Sequence, residues 1–162
     1  ERGGPDIAGQ LLICPVTDSS FDRPSYTDNA TGYFLTRALM YWFWDIYCSP
    51  ADRADPRVSP LRGKLTNLPQ AFVVTCEFDP LRDEGVAYAE ALAAAGVPVE
   101  QIKARGHIHS SLMMVDVVIT GVGARAQMAN ALRRFAGLPE SKGESVGPGA
   151  TAQRHQIDAA AG

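Results

Sequence analysis

The sequence predicts an α/β fold built on a parallel sheet, and three observations carry that prediction. Two continuous apolar runs of strand length, residues 10–16 and 70–77, read as strands buried on both faces, as parallel sheets require. A third run, residues 97–104, alternates apolar and polar positions in the manner of a strand near a sheet edge. Helical stretches separate and follow these runs, and strands alternating with helices imply parallel pairing through right-handed crossovers.

The elements follow in order. Residues 1–9 are polar and carry Gly3, Gly4 and Pro5, a linker composition, ahead of the first strand. That strand is too apolar to serve as an exposed edge, so a pairing partner is expected for it. Residues 17–32 collect Asp, Ser, Asn, Pro and Gly, which marks a long surface loop of the kind that often carries function. Thr36 suits the N-cap of a helix over residues 37–47, whose Leu39, Phe43 and Ile46 share one face that Met40 and Trp44 widen. Such an aromatic stripe either packs in the core or walls an apolar pocket. Prolines then punctuate residues 49–69. Asp83 and Glu84 suit the start of a helix over residues 83–95 that stops at Gly96 and turns Val86, Ala89 and Leu92 inward. Residues 112–119 read as a short helix or ordered loop. A last helix spans residues 124–136, with Ala126, Ala129 and Leu132 inward and Gly137 and Pro139 ending it. One domain over residues 1–138 is therefore expected, followed by a disordered tail over residues 139–162.

Composition narrows the functional classes. The apolar fraction of 46% is that of a globular protein, and a net charge of −3 supplies no footprint for nucleic acid or an anionic membrane. No apolar run is long enough for a transmembrane segment and the first ten residues lack the apolar centre of a signal peptide, so a cytoplasmic location is expected. Residue 1 is Glu, which leaves room for a preceding segment. Cys14, Cys48 and Cys76 are odd in number and widely spaced, so they read as small buried hydrophobes.

Two residues carry the candidate chemistry. Asp79 follows the second strand and His109 the third, and in open α/β sheets sites gather at the carboxyl ends of strands. An acid that orients an imidazole, which in turn deprotonates a hydroxyl, is the supporting pair of an acyl-transfer triad. Spacing alone leaves open that Asp79 only caps a helix and that His109 is a surface group. Cys76 suggests a thiol variant, but it lies inside a strand ahead of the acid. His107 and His109 find no third ligand of suitable spacing, so no metal site is expected. Gly143-Glu144-Ser145-Val146-Gly147 matches a nucleophile-elbow pattern in letters, yet it follows the His and has neither the preceding strand nor the following helix.

The run Glu77-Phe78-Asp79-Pro80-Leu81-Arg82-Asp83-Glu84-Gly85, with residues 71–75 before it and 88–92 after it, resembles the acid motif of hormone-sensitive-lipase-like α/β-hydrolases. Asp55-Pro56-Arg57-Val58-Ser59-Pro60-Leu61, Leu35-Thr36-Arg37-Ala38-Leu39-Met40 and Gly106-His107-Ile108-His109 resemble further stretches of that family. The resemblance covers about residues 9–138 and implies the C-terminal half of the fold, with Asp79 the triad acid and His109 the general base. It implies a carboxylic ester hydrolase or lipase acting on small esters of short or medium acyl chain without a cofactor, the aromatic helix lying near the acyl pocket. Ser110 and Ser111 stand where the family usually has a Gly and a large aromatic. The family's nucleophile elbow and His-Gly-Gly oxyanion motif, which precede the first strand, are absent. The implied chain therefore supplies acid and base but no nucleophile, with an N-terminal half or a homo-oligomer partner to complete it. The alternative is a truncated, non-catalytic fragment or a chain that completes a partner's sheet.

Overall fold

The computed structural model describes residues 4–141 and the short strand Arg154–Gln156. Its elements are β1 (Gln10–Ile13), α1 (Ser25–Asp28), α2 (Arg37–Tyr47), β2 (Ala71–Phe78), α3 (Arg82–Ala94), β3 (Val99–Ile108), α4 (Val122–Phe135) and β4 (Arg154–Gln156). Single 3₁₀ turns occupy Pro50–Asp52, Pro60–Arg62, Ser111–Met113 and Ile119–Gly121.

The three predicted strands pair in parallel in the order β1-β2-β3, with Ile13 beside Val74 and Val74 beside Ile102. β2 lies between β1 and β3, and its burial on both faces explains its unbroken apolar run. β4 adds antiparallel to the far side of β3, pairing Ile102 with Arg154. It falls in the stretch expected to be a disordered tail; most of that stretch, including Ser145, lies outside the described residues. β1 is an edge among the described residues, and all four of its positions are only half-buried, so the further partner expected for this apolar strand is not among them.

Helices cover both faces. Phe72, Val74, Cys76, Ile102 and Ala104 pack toward Ala124, Met128 and Ala131 of α4, while Ala71, Val73 and Val99 pack toward Tyr88, Ala89 and Leu92 of α3. Gly85 lets α3 approach β2 closely, since a Cβ there would stand 2.8 Å from Thr75 Cγ2.

Two expected helix faces need correction. In α4 the buried face is Ala124, Met128 and Ala131, whereas Ala129 and Leu132 are exposed. Met128, with Phe135 packed beside the same cluster, carries apolar area on the side that goes in, while Leu132 stays 51% exposed. In α2 Thr36 caps as expected, its Oγ1 accepting from Leu39 N at 3.2 Å. There, however, Met40 and Trp44 are buried, with Leu35 and Leu81 as neighbours. Leu39, Phe43 and Ile46 remain 39%, 43% and 63% exposed.

Candidate active site

Asp79 follows β2 directly and is 1% exposed. Its Oδ1 accepts from Leu81 N at 2.9 Å, which fixes the carboxylate as the chain turns into α3. The other oxygen, Oδ2, lies 2.8 Å from Nδ1 of His109. The two residues separated by thirty positions therefore meet, at the ends of adjacent strands.

A bulge in β3 makes that meeting possible. Cys76 pairs with Ala104, but the next registered pair is Phe78 with Ile108, so β3 spends two more residues than β2 over the same span. Gly106 takes a φ of +72° within the bulge, and its N–H donates to Glu77 Oε2 at 2.7 Å. Past the bulge, Asp79 and His109 are the next neighbours across the ladder. Without it, Asp79 would face His107. His107 instead is buried, with Nδ1 3.0 Å from the Ser111 hydroxyl, and burial pulls its pKa down. Ser110 follows His109 with a φ of +60°, a left-handed backbone that costs about 1–2 kcal/mol outside glycine. Beyond it, Arg125 Nη1 holds the connecting segment to α4 by donating to the carbonyls of Leu112 and Val118 at 3.1 and 3.2 Å.

A buried carboxylate secures the other side. Glu84 in the first turn of α3 is 0% exposed; its Oε1 accepts from Thr17 N at 2.6 Å and its Oε2 from the Tyr26 hydroxyl at 2.9 Å. Burial pushes this carboxyl up to about 7, against the hydrogen bonds that favour its charge. Nearby, the Ser25 hydroxyl donates to Pro80 O at 2.6 Å, and Asn29 Nδ2 to Asp79 O at 3.2 Å. The loop after β1 is thereby stapled onto the turn that carries Asp79. In the sequence Glu84 suits only a helix start, although its place in the motif beside Asp79 is a signal.

His109 faces a cavity of about 540 Å³ whose walls include Phe43, Trp44 and Tyr47 of α2, with Val58 and Leu81. The aromatic helix thus does wall an apolar pocket. Ser110 and Ser111 are not among the lining residues. Burial opposes charge on the imidazole, but the hydrogen bond to Asp79, with the Cys14 sulfur close by, more than offsets it and pushes His109 up to about 9. Asp79 therefore stabilises an imidazolium, the form His109 takes on accepting a proton.

Cys14, expected only to fill space, ends β1 beside this pair, and its Sγ is 3.4 Å from that of Cys76. The hydrogen bond with Cys76, opposed by burial and helped by His109, brings the Cys14 thiol down to about 6. No motif in the sequence marked it.

Comparison with known proteins gives a consistent set of relatives. A family profile described as the alpha/beta hydrolase fold matches residues 1–113. The chain is 42% identical to an ethyl acetate hydrolase of Pseudomonas putida over 111 residues, covering 67% of this chain and 35% of that protein. It is 36% identical to the carboxylesterase NlhH of Mycobacterium tuberculosis over 137 residues, covering 82% of this chain and 43% of that one. Among solved structures, a thermostable esterase from Pseudomonas putida superposes with a TM-score of 0.77 at 43% identity, over 82% of this chain and 43% of that chain. The chain thus spans less than half the length of these relatives.

Proposed function

The chain belongs to the α/β-hydrolase family, in its hormone-sensitive-lipase-like branch, and from that premise we propose that it supplies the acid and base of a carboxylic ester hydrolase. The observation that carries this reading is the 2.8 Å contact between Asp79 Oδ2 and His109 Nδ1 beside an apolar cavity. Asp79 holds the imidazole through Nδ1, and in the neutral form of His109, which is the minor one below a pH of about 9, Nε2 is left to take the proton of a serine hydroxyl as it attacks the ester carbonyl. His109 then returns the proton to the departing alcohol, and water releases the acid by the same route. The serine and the backbone donors that bind the oxyanion come from the portion of the fold that the relatives have and this chain does not span. The size and apolar lining of the cavity suit small esters of short or medium acyl chain. A second reading, a non-catalytic chain that completes a partner's sheet, has one observation in its favour: among the described residues β1 lies at an edge.

The test is hydrolysis of p-nitrophenyl acetate by this chain alone and by a fusion behind the N-terminal portion of the Pseudomonas putida ethyl acetate hydrolase. Background turnover is expected from the chain alone. The fusion should turn over the ester, and His109→Ala in it should lower kcat at least about 10³-fold. A folded fusion without turnover, or one indifferent to His109→Ala, would exclude the assignment.

A further inference from the structure

The ends of three adjacent strands bring a thiol, an imidazole and a carboxylate together. One donor atom from each of Cys14, His109 and Asp79 lies within 4.8 Å of the other two. Cys14 is 6% exposed and Asp79 1%, while the His109 side chain is 20% exposed and faces the cavity. The position of Cys14 is not a relaxed one, since its φ of +46° is uncommon for a residue with a side chain and persists only where the surroundings hold it.

We propose that Cys14, His109 and Asp79 form a binding site for a divalent cation of Zn²⁺ type. Sulfur, imidazole nitrogen and carboxylate oxygen are the donors that Zn²⁺ takes, and three protein ligands leave a fourth position open, here toward the cavity. Two of the three ligands are anionic when they bind, and a divalent ion balances both charges inside a site that water barely reaches. Binding displaces to solvent the protons held by the Cys14 sulfur and by the coordinating nitrogen of His109, and the ion takes the lone pairs so freed. The site rests on where these side chains lie, not on their catalytic role. In a complete hydrolase it would act as an inhibitory site, because an imidazole engaged by the ion cannot serve as the base. Cys76, 3.4 Å from Cys14, is the neighbour that would take the sulfur into a disulfide, so the chain must be kept reduced during measurement.

The experiment is a Co²⁺ titration of the reduced, chelator-treated chain, followed by absorption spectroscopy. A sulfur-to-cobalt charge-transfer band saturating at one ion per chain is expected, displaced by Zn²⁺. It should vanish in Cys14→Ala and His109→Ala, persist in Cys48→Ala, and need about tenfold or more Co²⁺ in Asp79→Asn. Absence of the band from the unaltered chain, or its survival in a folded Cys14→Ala chain, would overturn the site. Should the variants fail to fold, X-ray absorption of the unaltered chain loaded with Zn²⁺ decides the matter: one sulfur neighbour with lighter ligands supports the site, and a shell without sulfur overturns it.

Discussion

Glu84 is the residue whose protonation state matters most to the turn that carries Asp79. Its carboxyl is fully buried between the Thr17 amide and the Tyr26 hydroxyl, with Asp18 adding a like charge that is itself paired to Arg62 at 2.7 Å. Raised from 4.5 to about 7, it binds its proton more tightly in the folded chain than in the unfolded one. The stability this contributes is complete below pH 4.5 and is lost as pH rises through about 7. Between pH 5 and pH 8 the loss amounts to about 2 kcal/mol. Glu84→Gln is neutral throughout and keeps an acceptor for Thr17 N, so its stability should fall less over that range by the same amount. Urea unfolding of both proteins at the two pH values isolates the residue, because every other titrating group is shared. Parallel pH dependences would mean that Glu84 stays charged and that its hydrogen bonds outweigh its burial.

The β3 bulge decides which histidine meets Asp79. Gly106, at φ +72°, meets nothing within 4 Å of a hypothetical Cβ, so the obstacle to a larger residue there is backbone conformation rather than space. Gly106→Val should cost about 1–2 kcal/mol or more by forcing a β-branched residue into the left-handed region, and the chain relieves that strain by straightening the bulge. The far-downfield Nδ1 proton resonance of His109, expected from its hydrogen bond to Asp79, should then disappear. Gly106→Asn, which tolerates the conformation, should retain it. An unchanged resonance in folded Gly106→Val would show that the bulge does not set the pairing. This element also marks the limit of sequence reasoning. Continuous apolar runs placed β1 and β2, alternation placed β3, and capping and stop residues around apolar stretches placed α2 to α4, although the buried faces of α2 and α4 are not the expected ones. Alternation ended the third strand at residue 104, since Arg105, Gly106 and His107 break it. The place of His109 past the third strand nevertheless put it on the rim with Asp79, and spacing alone left open only that it was a surface group; the structure puts it in contact with Asp79. Cys14 stayed hidden for a related reason: convergence of three strand ends is a tertiary fact that leaves no local pattern.

At the scale of the molecule, the sheet is covered on both faces but, among the described residues, open along β1. Gln10 N donates to Gln70 O and Cys14 N to Val74 O, so the period of two in a strand aims the Leu11 and Ile13 amides away from β2, toward the open edge. On the same molecule Trp42, Ile46 and Tyr47 of α2 are 55%, 63% and 67% exposed, more aromatic and aliphatic surface than one short helix usually leaves to water. Both features fit a chain that spans 35% and 43% of two relatives, and a further strand beside β1 would satisfy the first of them. Hydrogen exchange reads this residue by residue. In the chain alone, Leu11 and Ile13 should exchange orders of magnitude faster than Leu12, which faces β2, because no partner holds their N–H groups. In the fusion that restores the N-terminal portion, all three should be protected alike. Slow exchange at Leu11 and Ile13 in a monomer of this chain would show that β1 needs no neighbour, and the case for a missing strand would fall with it.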